Sequence, residues 1–308
     1  MMRPANIVTA IADILAGAAI GASLSSVSWA TSSPVSPIGP LAGGSGNGWL
    51  FPLLMLALAT IGLYGGGVVL NDVFDAALDK KERPERPIPS GLISKTAAAL
   101  FGILLLLGGI LAAAFAGYPD LLSLSTLLAV LIALAAVAYD KWMKHHPFFG
   151  PLNMGVCRGL NLLLGMSLVA YAVSFYWFIA LLPVIYIAAI TMISRGEVHG
   201  GKKTTLYGAM ALYIFVVLAI AAMAALNNTL PATLPFLLVF SLLIFPALQR
   251  AVKRPEGPMI GKAVKAGVVA LILMDASLAA SFSSLYVALV ILLLFPLSYL
   301  LSRLFAVT

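Results

Sequence analysis

The sequence predicts an all-α membrane protein that crosses the bilayer nine or ten times. Of its 308 residues, 62% are hydrophobic and only 9% are charged, whereas soluble domains carry about 25% charged residues. Apolar stretches recur along the whole chain, and about 20 apolar residues suffice for one spanning helix. These observations exclude a soluble domain, and the lone Cys157 excludes a disulfide scaffold. We expect a single transmembrane domain over residues 1–308.

The candidate spans follow one another with short loops. The first is expected to be retained rather than cleaved as a signal peptide, because Asp13 interrupts it and it is longer than about 15 residues. In chain order, the spans lie near residues 5–28, 49–70, 96–117, 120–138, 150–173, 176–193, 205–226, 233–249, 264–283 and 285–302.

The fifth span contains a charged residue, Arg158. An arginine in mid-membrane costs at least about 2.5–3.5 kcal/mol, so this one should face the bundle interior and have a partner. Two interpretations are open. Arg158 binds an anionic group of a ligand, such as a diphosphate or a carboxylate, or it forms a structural pair with Asp13 or Asp275.

Basic residues are confined to alternate loops. If the spans alternate, 17 of the 18 Lys and Arg residues fall on one side, at the two termini and in the segments 71–95, 139–149, 194–204 and 250–265. The positive-inside rule makes that side cytoplasmic. The net charge of +7 therefore reflects topology, and no nucleic-acid partner is expected. We expect an integral protein of the plasma (inner) membrane with a cytoplasmic N-terminus.

An acidic cluster marks the end of the second span. Asn71, Asp75 and Asp79 are spaced i, i+4 and i+8, and Asp72 lies three residues before Asp75, so one helix face presents all four. Carboxylates this close repel one another unless a multivalent cation or Arg and Lys side chains neutralise them. Mg²⁺ is the expected cation, since it takes oxygen ligands and bridges carboxylates to phosphorylated substrates.

The residues after the cluster suit an anionic ligand. Arg83 and Arg86 follow directly and are expected to clamp diphosphate oxygens. Three prolines between 84 and 89 stop the helix, and Gly91 permits a turn before Ser94, the expected N-cap of the third span. The alternative is an ordinary loop whose acids and bases pair among themselves.

Three consecutive glycines, at 65–67, precede the cluster by one to two helical turns. Small residues in a membrane span let another helix approach closely. They can equally open space for a ligand below the cluster. Both interpretations are compatible with the sequence.

At these residues the chain resembles a known family. Asn71-Asp-x-x-Asp75-x-x-x-Asp79, followed by Arg86-Pro-Ile-Pro-Ser-Gly91, is similar to the first aspartate-rich motif of the UbiA superfamily of intramembrane prenyltransferases. Arg3-Pro-x-Asn before the first span also resembles the start of that family. The resemblance implies a helical bundle with a cytoplasm-facing chamber, in which a polyprenyl diphosphate sits head-up with its tail in a lateral, lipid-facing space.

A narrower likeness is to the UbiA-like EboC group. It depends on the sequence ERPERPIPSG and on the segment 193–201. That group is associated with moving a secondary-metabolite precursor out of the cytoplasm. The resemblance therefore implies an alternative function and partner proteins of a metabolite-export pathway.

The second motif of the family, Asp-x-x-x-Asp, is altered here. Arg195 and His199 stand where the two aspartates would be, and Glu197 is the remaining carboxylate. Arginine has no acceptor atom, and imidazole suits softer metals than magnesium. Two outcomes are open: Arg195 and the neighbouring lysines replace a second metal by fixed positive charge, or the site binds a diphosphate-bearing molecule without ionising it.

The segment after the fourth span resembles the tyrosine-plus-lysine segment of the family. It contains Tyr139, Asp140, Lys141 and Lys144. The tyrosine and either lysine are expected to reach the diphosphate. The alternative is a basic loop that merely follows the topology rule.

Together, the residues and the resemblance predict a Mg²⁺-assisted transfer of a prenyl group from a polyprenyl diphosphate to a hydrophobic acceptor. Asp72, Asp75 and Asp79 are expected to hold Mg²⁺ on the diphosphate, and Glu197 or Asp140 is the candidate base. The expected substrate contacts are Asn71, Arg83, Arg86, Tyr139, Lys141, Lys144, Arg158 and Arg195.

Two other classes of function are weighed against the transferase. The first is a non-catalytic carrier or trafficking component for a lipophilic secondary-metabolite precursor. The second is a proton-coupled transporter that uses Asp13 and Asp275, which is disfavoured because no paired broken helices are apparent in the sequence.

Overall fold

The computed structural model describes residues 3–27, 48–197 and 200–304, and within these ranges the chain forms helices and no strand. The all-α prediction is confirmed. The helices are α1 (Pro4–Val27), α2 (Leu50–Glu82), α3 (Lys95–Ala116), α4 (Leu124–Ala138), α5 (Phe149–Met166), α6 (Ala170–Tyr176), α7 (Leu181–Ser194), α8 (Lys203–Leu226), α9 (Leu230–Lys253), α10 (Gly257–Phe282), α11 (Leu285–Leu292) and α12 (Leu294–Leu304).

Nine stretches of the described residues are long and apolar enough to cross a membrane, in agreement with the prediction of nine or ten spans. Helices α6 and α7 form one such stretch with the 3₁₀ turn Trp177–Ala180 between them, and α11 and α12 form another. Helix α5 is not among the nine, because Arg158 and two asparagines reduce its mean hydropathy. It nevertheless packs against α1, α4 and α7.

Helices α1 and α10 form the centre of the bundle. The most apolar part of α10 is 83% buried inside the bundle, whereas the corresponding part of the stretch Leu285–Leu304 is 22% buried. Helix α1 contacts α2, α5, α10 and α12, and α10 also contacts α7, α8, α9 and α11. The outer helices expose large aliphatic side chains such as Leu104, Leu218 and Leu242, as expected for a surface covered by lipid.

The glycine run of α2 serves both of the purposes considered above, through different residues. Gly66 lies against α3, where a Cβ atom would come within 2.8 Å of the carbonyl oxygen of Gly102. Gly67 instead lines an internal cavity. The first glycine brings α2 and α3 together, and the second leaves room beside the acidic motif.

The turn between α2 and α3 follows the local chemistry of its sequence. Helix α2 ends at Glu82, before the prolines. Gly91 adopts a left-handed conformation with φ of +79°, which glycine tolerates without steric cost. Ser94 is the N-cap of α3, and its hydroxyl accepts a hydrogen bond from the Ala97 amide at 3.1 Å. The predicted turn and cap are confirmed.

The four basic segments meet at one end of the bundle, as the sequence predicts. A polar contact joins each segment to the next. These contacts run from Lys144 to Asp75, from Arg195 to the carbonyl oxygen of His146 at 2.6 Å, and from the amide of Gly201 to the carbonyl oxygen of Pro255 at 3.0 Å. That this end faces the cytoplasm stays a prediction.

Candidate active site

A cavity of about 460 Å³ lies inside the bundle, between α1, α2, α4, α5, α7 and α10. Most of its charged lining residues come from the ends of helices and the loops where the basic segments meet. Further inside the same helices the lining is mainly apolar and includes Leu63, Ile132, Ile187, Val268 and Leu271, with Arg158 and Asn161 as polar members of the wall. The cavity therefore has one strongly charged end and a mainly apolar interior.

Three residues of the acidic motif line this cavity: Asn71, Asp75 and Asp79. They share one face of α2, as the i, i+4, i+8 spacing predicts. The fourth, Asp72, is not among the lining residues. It is linked to the motif through Arg86, whose Nη1 lies 2.7 Å from Asp79 Oδ2 and 3.5 Å from Asp72 Oδ1.

A five-residue π turn, Tyr139–Met143, brings the end of α4 to the acidic motif. The Nζ atom of Lys144 forms an ion pair with Asp75 and donates to Asn71 Oδ1 at 3.3 Å. The amide of Asn71 in turn donates to Asp140 Oδ1 at 2.7 Å. Tyr139, Asp140 and Lys144 all line the cavity, so the structure places most of this segment beside the acidic motif.

The oxygen donors at this end are of the kind that magnesium prefers, namely carboxylates and a side-chain amide. In the structure, however, cations of the chain itself hold them: Lys144 is paired with Asp75, and Arg86 bridges Asp72 and Asp79. Within the described ranges, no three His, Cys, Asp or Glu side chains are arranged to hold a metal jointly. The donor chemistry fits Mg²⁺, and binding it would require these ion pairs to open. The metal site on Asp72, Asp75 and Asp79 therefore stays a prediction.

Two further arginines, Arg3 and Arg83, line the charged end of the cavity together with Glu197. Neither arginine forms an ion pair within the part of the chain that the structure describes. Burial raises the pKa of the Glu197 carboxyl above its ordinary value, although the charges of Arg83 and Arg3 act to lower it. Sequence reasoning did not place Arg3 in the site. The signal that pointed to it was the Arg-Pro-x-Asn start that resembles the family.

Two residues that were expected to contact the substrate, Arg195 and Lys141, contact other parts of the chain instead. Arg195 donates to the carbonyl oxygens of His146 and Pro147 at 2.6 and 2.7 Å. Lys141 is exposed, and its Nζ lies 4.6 Å from the centre of the Trp142 ring. Neither residue is among those that line the cavity. His199, the other replaced aspartate, lies outside the described residues.

Arg158 has the buried partner that its position in the membrane requires. Its Nη1 lies 2.6 Å from Asp13 Oδ2, and its Nη2 also donates to the Thr9 hydroxyl. The guanidinium carbon lies 5.7 Å from the centre of the Tyr64 ring. Both Arg158 and Tyr64 line the cavity, so the arginine of the structural pair is also part of the cavity wall.

These features define a class of protein: a polytopic helical bundle with an internal cavity that has one strongly charged end and a mainly apolar interior. The comparisons with known proteins identify the family. The sequence profile of the UbiA prenyltransferase family matches residues 33–264, and the chain belongs to that family. The narrower likeness to the EboC group stays a prediction.

Among curated proteins, the chain is similar to digeranylgeranylglyceryl phosphate synthases of archaea. It is 34% identical over 145 residues to that of Methanoregula boonei, a match that covers 47% of this chain and 48% of the relative. It is 28% identical over 192 residues to that of Methanothrix thermoacetophila, which covers 58% and 67% of the two chains. The chain thus spans about half the length of the first of these relatives.

Two solved structures share the fold. One is described as giving insights into the biosynthesis of digeranylgeranylglyceryl phosphate synthase in membranes. It has a TM-score of 0.61 and 20% identity, over 90% of this chain and 94% of that one. The other is the apo structure of a UbiA homolog from Aeropyrum pernix K1, with a TM-score of 0.64 and 15% identity, over 88% and 96% of the two chains.

Proposed function

We propose that the protein transfers a prenyl group from a polyprenyl diphosphate to a hydrophobic acceptor within the membrane. The observation that carries this proposal is the continuity of one cavity. Its charged end contains three residues of the acidic motif and several cations, and its interior is lined mainly by apolar side chains. A polyprenyl diphosphate has the same division between an anionic head and an apolar tail.

The diphosphate is bound at the charged end. Arg3 and Arg83 are cations of this end without a carboxylate partner in the described structure, and arginine pairs well with phosphate oxygens. Mg²⁺ bound by the aspartates of the motif would supply charge neutralisation to the diphosphate. Because Arg195 is engaged with backbone carbonyls, we assign the compensating positive charge to Arg3 and Arg83 instead.

The reaction breaks the bond between the allylic carbon and the diphosphate oxygen, and the electron pair leaves with the diphosphate. Cations at the charged end stabilise this leaving group. The rings of Tyr64 and Tyr139, which line the cavity, provide π faces for the allylic cation. The acceptor then forms the new bond to this carbon and loses a proton.

Glu197 is the base we assign to that proton. It lines the charged end, and burial raises the pKa of its carboxyl, which moves it toward the range in which a carboxylate acts efficiently as a general base. Asp140 is the second candidate. Its Oδ1 accepts a hydrogen bond from Asn71, which fixes the position of the Asp140 carboxyl group.

Radiolabelled geranylgeranyl diphosphate is the first probe, because the names of the relatives point to that prenyl group. Purified protein in liposomes should bind it, and should release diphosphate when a membrane lipid extract supplies the acceptor. Asp75→Asn should abolish both effects. Asp120→Asn makes the same chemical change in an exposed loop at the other end of α3, so it should leave both intact.

The second candidate function is a carrier for a lipophilic molecule, and one observation favours it. Each carboxylate of the acidic motif already has a cationic partner in Arg86 or Lys144, so two of the three negative charges are balanced without metal. Binding of the probe without any diphosphate release would support the carrier. If the protein binds no polyprenyl diphosphate with or without Mg²⁺, the transferase proposal fails.

A further inference from the structure

A buried carboxyl pair lies behind the wall of the cavity, and the proposed reaction does not use it. Asp275 of α10 and Asp13 of α1 are both fully buried, their two helices pack against each other, and the two carboxyl groups are close enough to interact electrostatically. Neither lines the cavity, whereas Arg158 and Asn161, which bind Asp13, do. The pair is therefore separated from the cavity by one layer of side chains.

Among the residues that the structure describes, three of the four carboxyl oxygens in this pair have no hydrogen-bond partner. Oδ2 of Asp13 accepts from Arg158 Nη1 at 2.6 Å and from Asn161 Nδ2 at 2.9 Å. Oδ1 of Asp13 and both oxygens of Asp275 accept no hydrogen bond from the described residues. Because an unsatisfied buried carboxylate oxygen carries a large desolvation cost, these atoms indicate a ligand that the two residues share.

The local charges cannot balance if both carboxyl groups are ionised. Arg158 is the one Lys or Arg in the middle of a predicted span, and the other 17 lie in the basic segments and at the termini; among them, Lys265 at the start of a span donates to the carbonyl oxygen of Ser302 at 2.6 Å. Its guanidinium is already paired with Asp13. The other ionisable groups that interact with this cluster are the phenols of Tyr64 and Tyr186, which supply no positive charge. Two ionised carboxylates would leave one uncompensated negative charge inside the bundle.

The surroundings favour a proton over a metal ion as the shared ligand. Hard metal ions such as Ca²⁺ take about six to eight oxygen ligands, and this site offers three unpartnered oxygens. The residues adjacent to Asp275 on α10, Met274 and Ala276, are buried and apolar. The nearest hydroxyl on this helix, that of Ser277, already donates to the carbonyl oxygen of Leu273 at 2.7 Å.

We propose that Asp275 and Asp13 bind one proton between them and form a proton-binding site in the interior of the bundle. The proton is held on Asp275, which donates it to Oδ1 of Asp13. Asp13 remains ionised as the counter-ion of Arg158. The cluster is then electrically neutral, and Arg158 is fixed in the cavity wall without an uncompensated charge behind it. This proposal does not depend on the proposed function.

Infrared spectroscopy of the purified protein at neutral pH tests the proposal. Wild type should show the C=O stretching band of a protonated carboxylic acid, and Asp275→Asn should lose it while remaining folded. Asp120→Asn, in an exposed loop, is the matched control and should retain it. If the bands of wild type and Asp275→Asn are the same, the proposal is overturned.

A second variant tests the charge balance. In Asp13→Asn, Asp275 becomes the one carboxylate available to Arg158, so it should ionise and the band should also be lost. If Asp13→Asn retains the band, the proton does not depend on the pair and the proposal fails. If Asp13→Asn does not fold, the infrared comparison of wild type with Asp275→Asn still tests whether Asp275 carries the proton.

Sodium provides the remaining test. Thermal unfolding in detergent should not differ between sodium and choline chloride at equal ionic strength, because the site holds a proton. A stabilisation by sodium that disappears in Asp275→Asn would identify a metal-ion site instead and would overturn the proposal.

Discussion

Replacement of Lys144 by methionine should make the stability of the protein depend on Mg²⁺, because it removes the ammonium group that pairs with Asp75. Lys144 pairs with Asp75, and the two side chains are 21% and 15% exposed. Exposed ion pairs contribute about 0–1 kcal/mol, and breaking a buried pair costs about 3–5 kcal/mol. For this partly buried pair we therefore expect Lys144→Met to lower the free energy of unfolding by about 1–3 kcal/mol in the presence of a chelator.

Mg²⁺ should offset that loss if the acidic motif is a metal site. A ligand that binds only the folded state stabilises it by about 2.7 kcal/mol at 100 times its Kd, which matches the upper part of the expected loss. In wild type, the same ion must first displace the ammonium group of Lys144. Mg²⁺ should therefore stabilise Lys144→Met more than it stabilises wild type. Chemical unfolding of the purified protein in detergent, with Mg²⁺ or with chelator, measures the difference.

Lys141→Met is the matched control for this experiment. Lys141 lies three residues away, is exposed, and contacts the Trp142 ring rather than a carboxylate. Its replacement should change the free energy of unfolding by less than about 0.5 kcal/mol, as for other surface substitutions, and should leave the Mg²⁺ response as in wild type. If Lys144→Met and wild type respond equally to Mg²⁺, the ion does not bind at Asp75 and the assigned metal site is wrong.

Three further predictions concern the site, the packing and the topology. Arg83→Ala should weaken diphosphate binding by about 1.5–3 kcal/mol, the range for a hydrogen bond to a charged group, as measured by displacement of labelled geranylgeranyl diphosphate; an unchanged affinity would remove Arg83 from the site. Gly66→Ala should destabilise the protein by about 1–3 kcal/mol through overpacking against α3, whereas Gly108→Ala, where a Cβ meets open space, should not. In sealed cells, an impermeant thiol reagent should label Ser284→Cys but not Glu85→Cys, and the reverse result would invert the topology.

The sequence predicts those features of the site that depend on neighbours in the chain. The shared face of Asn71, Asp75 and Asp79 follows from helical periodicity. The turn at Gly91 and the cap at Ser94 follow from the conformational freedom of glycine and the hydrogen-bonding chemistry of serine. In each case the interaction lies within one or two helical turns, so no knowledge of the tertiary structure was needed.

The choice between Lys141 and Lys144 could not be made from the sequence, because it depends on the π turn at the end of α4. In this turn the amide of Lys144 donates to the carbonyl oxygen of Tyr139, five residues earlier, at 2.9 Å. The wider turn changes the direction of the side chains that follow it relative to a continuous α-helix. Lys144 consequently reaches Asp75, while Lys141 lies over Trp142.

The partners of Arg195 and Arg158 depend on tertiary contacts. Arg195 bonds to carbonyl groups almost 50 residues earlier in the chain, in a loop whose conformation the sequence does not reveal. For Arg158, the cost of burial required a partner, but two aspartates in different spans satisfied that requirement equally well. The packing of α1 against α5 selects Asp13 as the ion-pair partner.

Under the proposed function, the ion pairs of the acidic motif also explain how the chain can hold diphosphate without a complete second motif. Before substrate binds, Lys144 and Arg86 are paired with the carboxylates that would hold Mg²⁺. The aspartates of the motif would hold Mg²⁺, which would neutralise charge on the diphosphate. Lys144 and Arg86 would then be available at the charged end of the cavity to pair with the leaving group, together with Arg3 and Arg83. One set of positive charges serves both states, which reduces the need for a second metal.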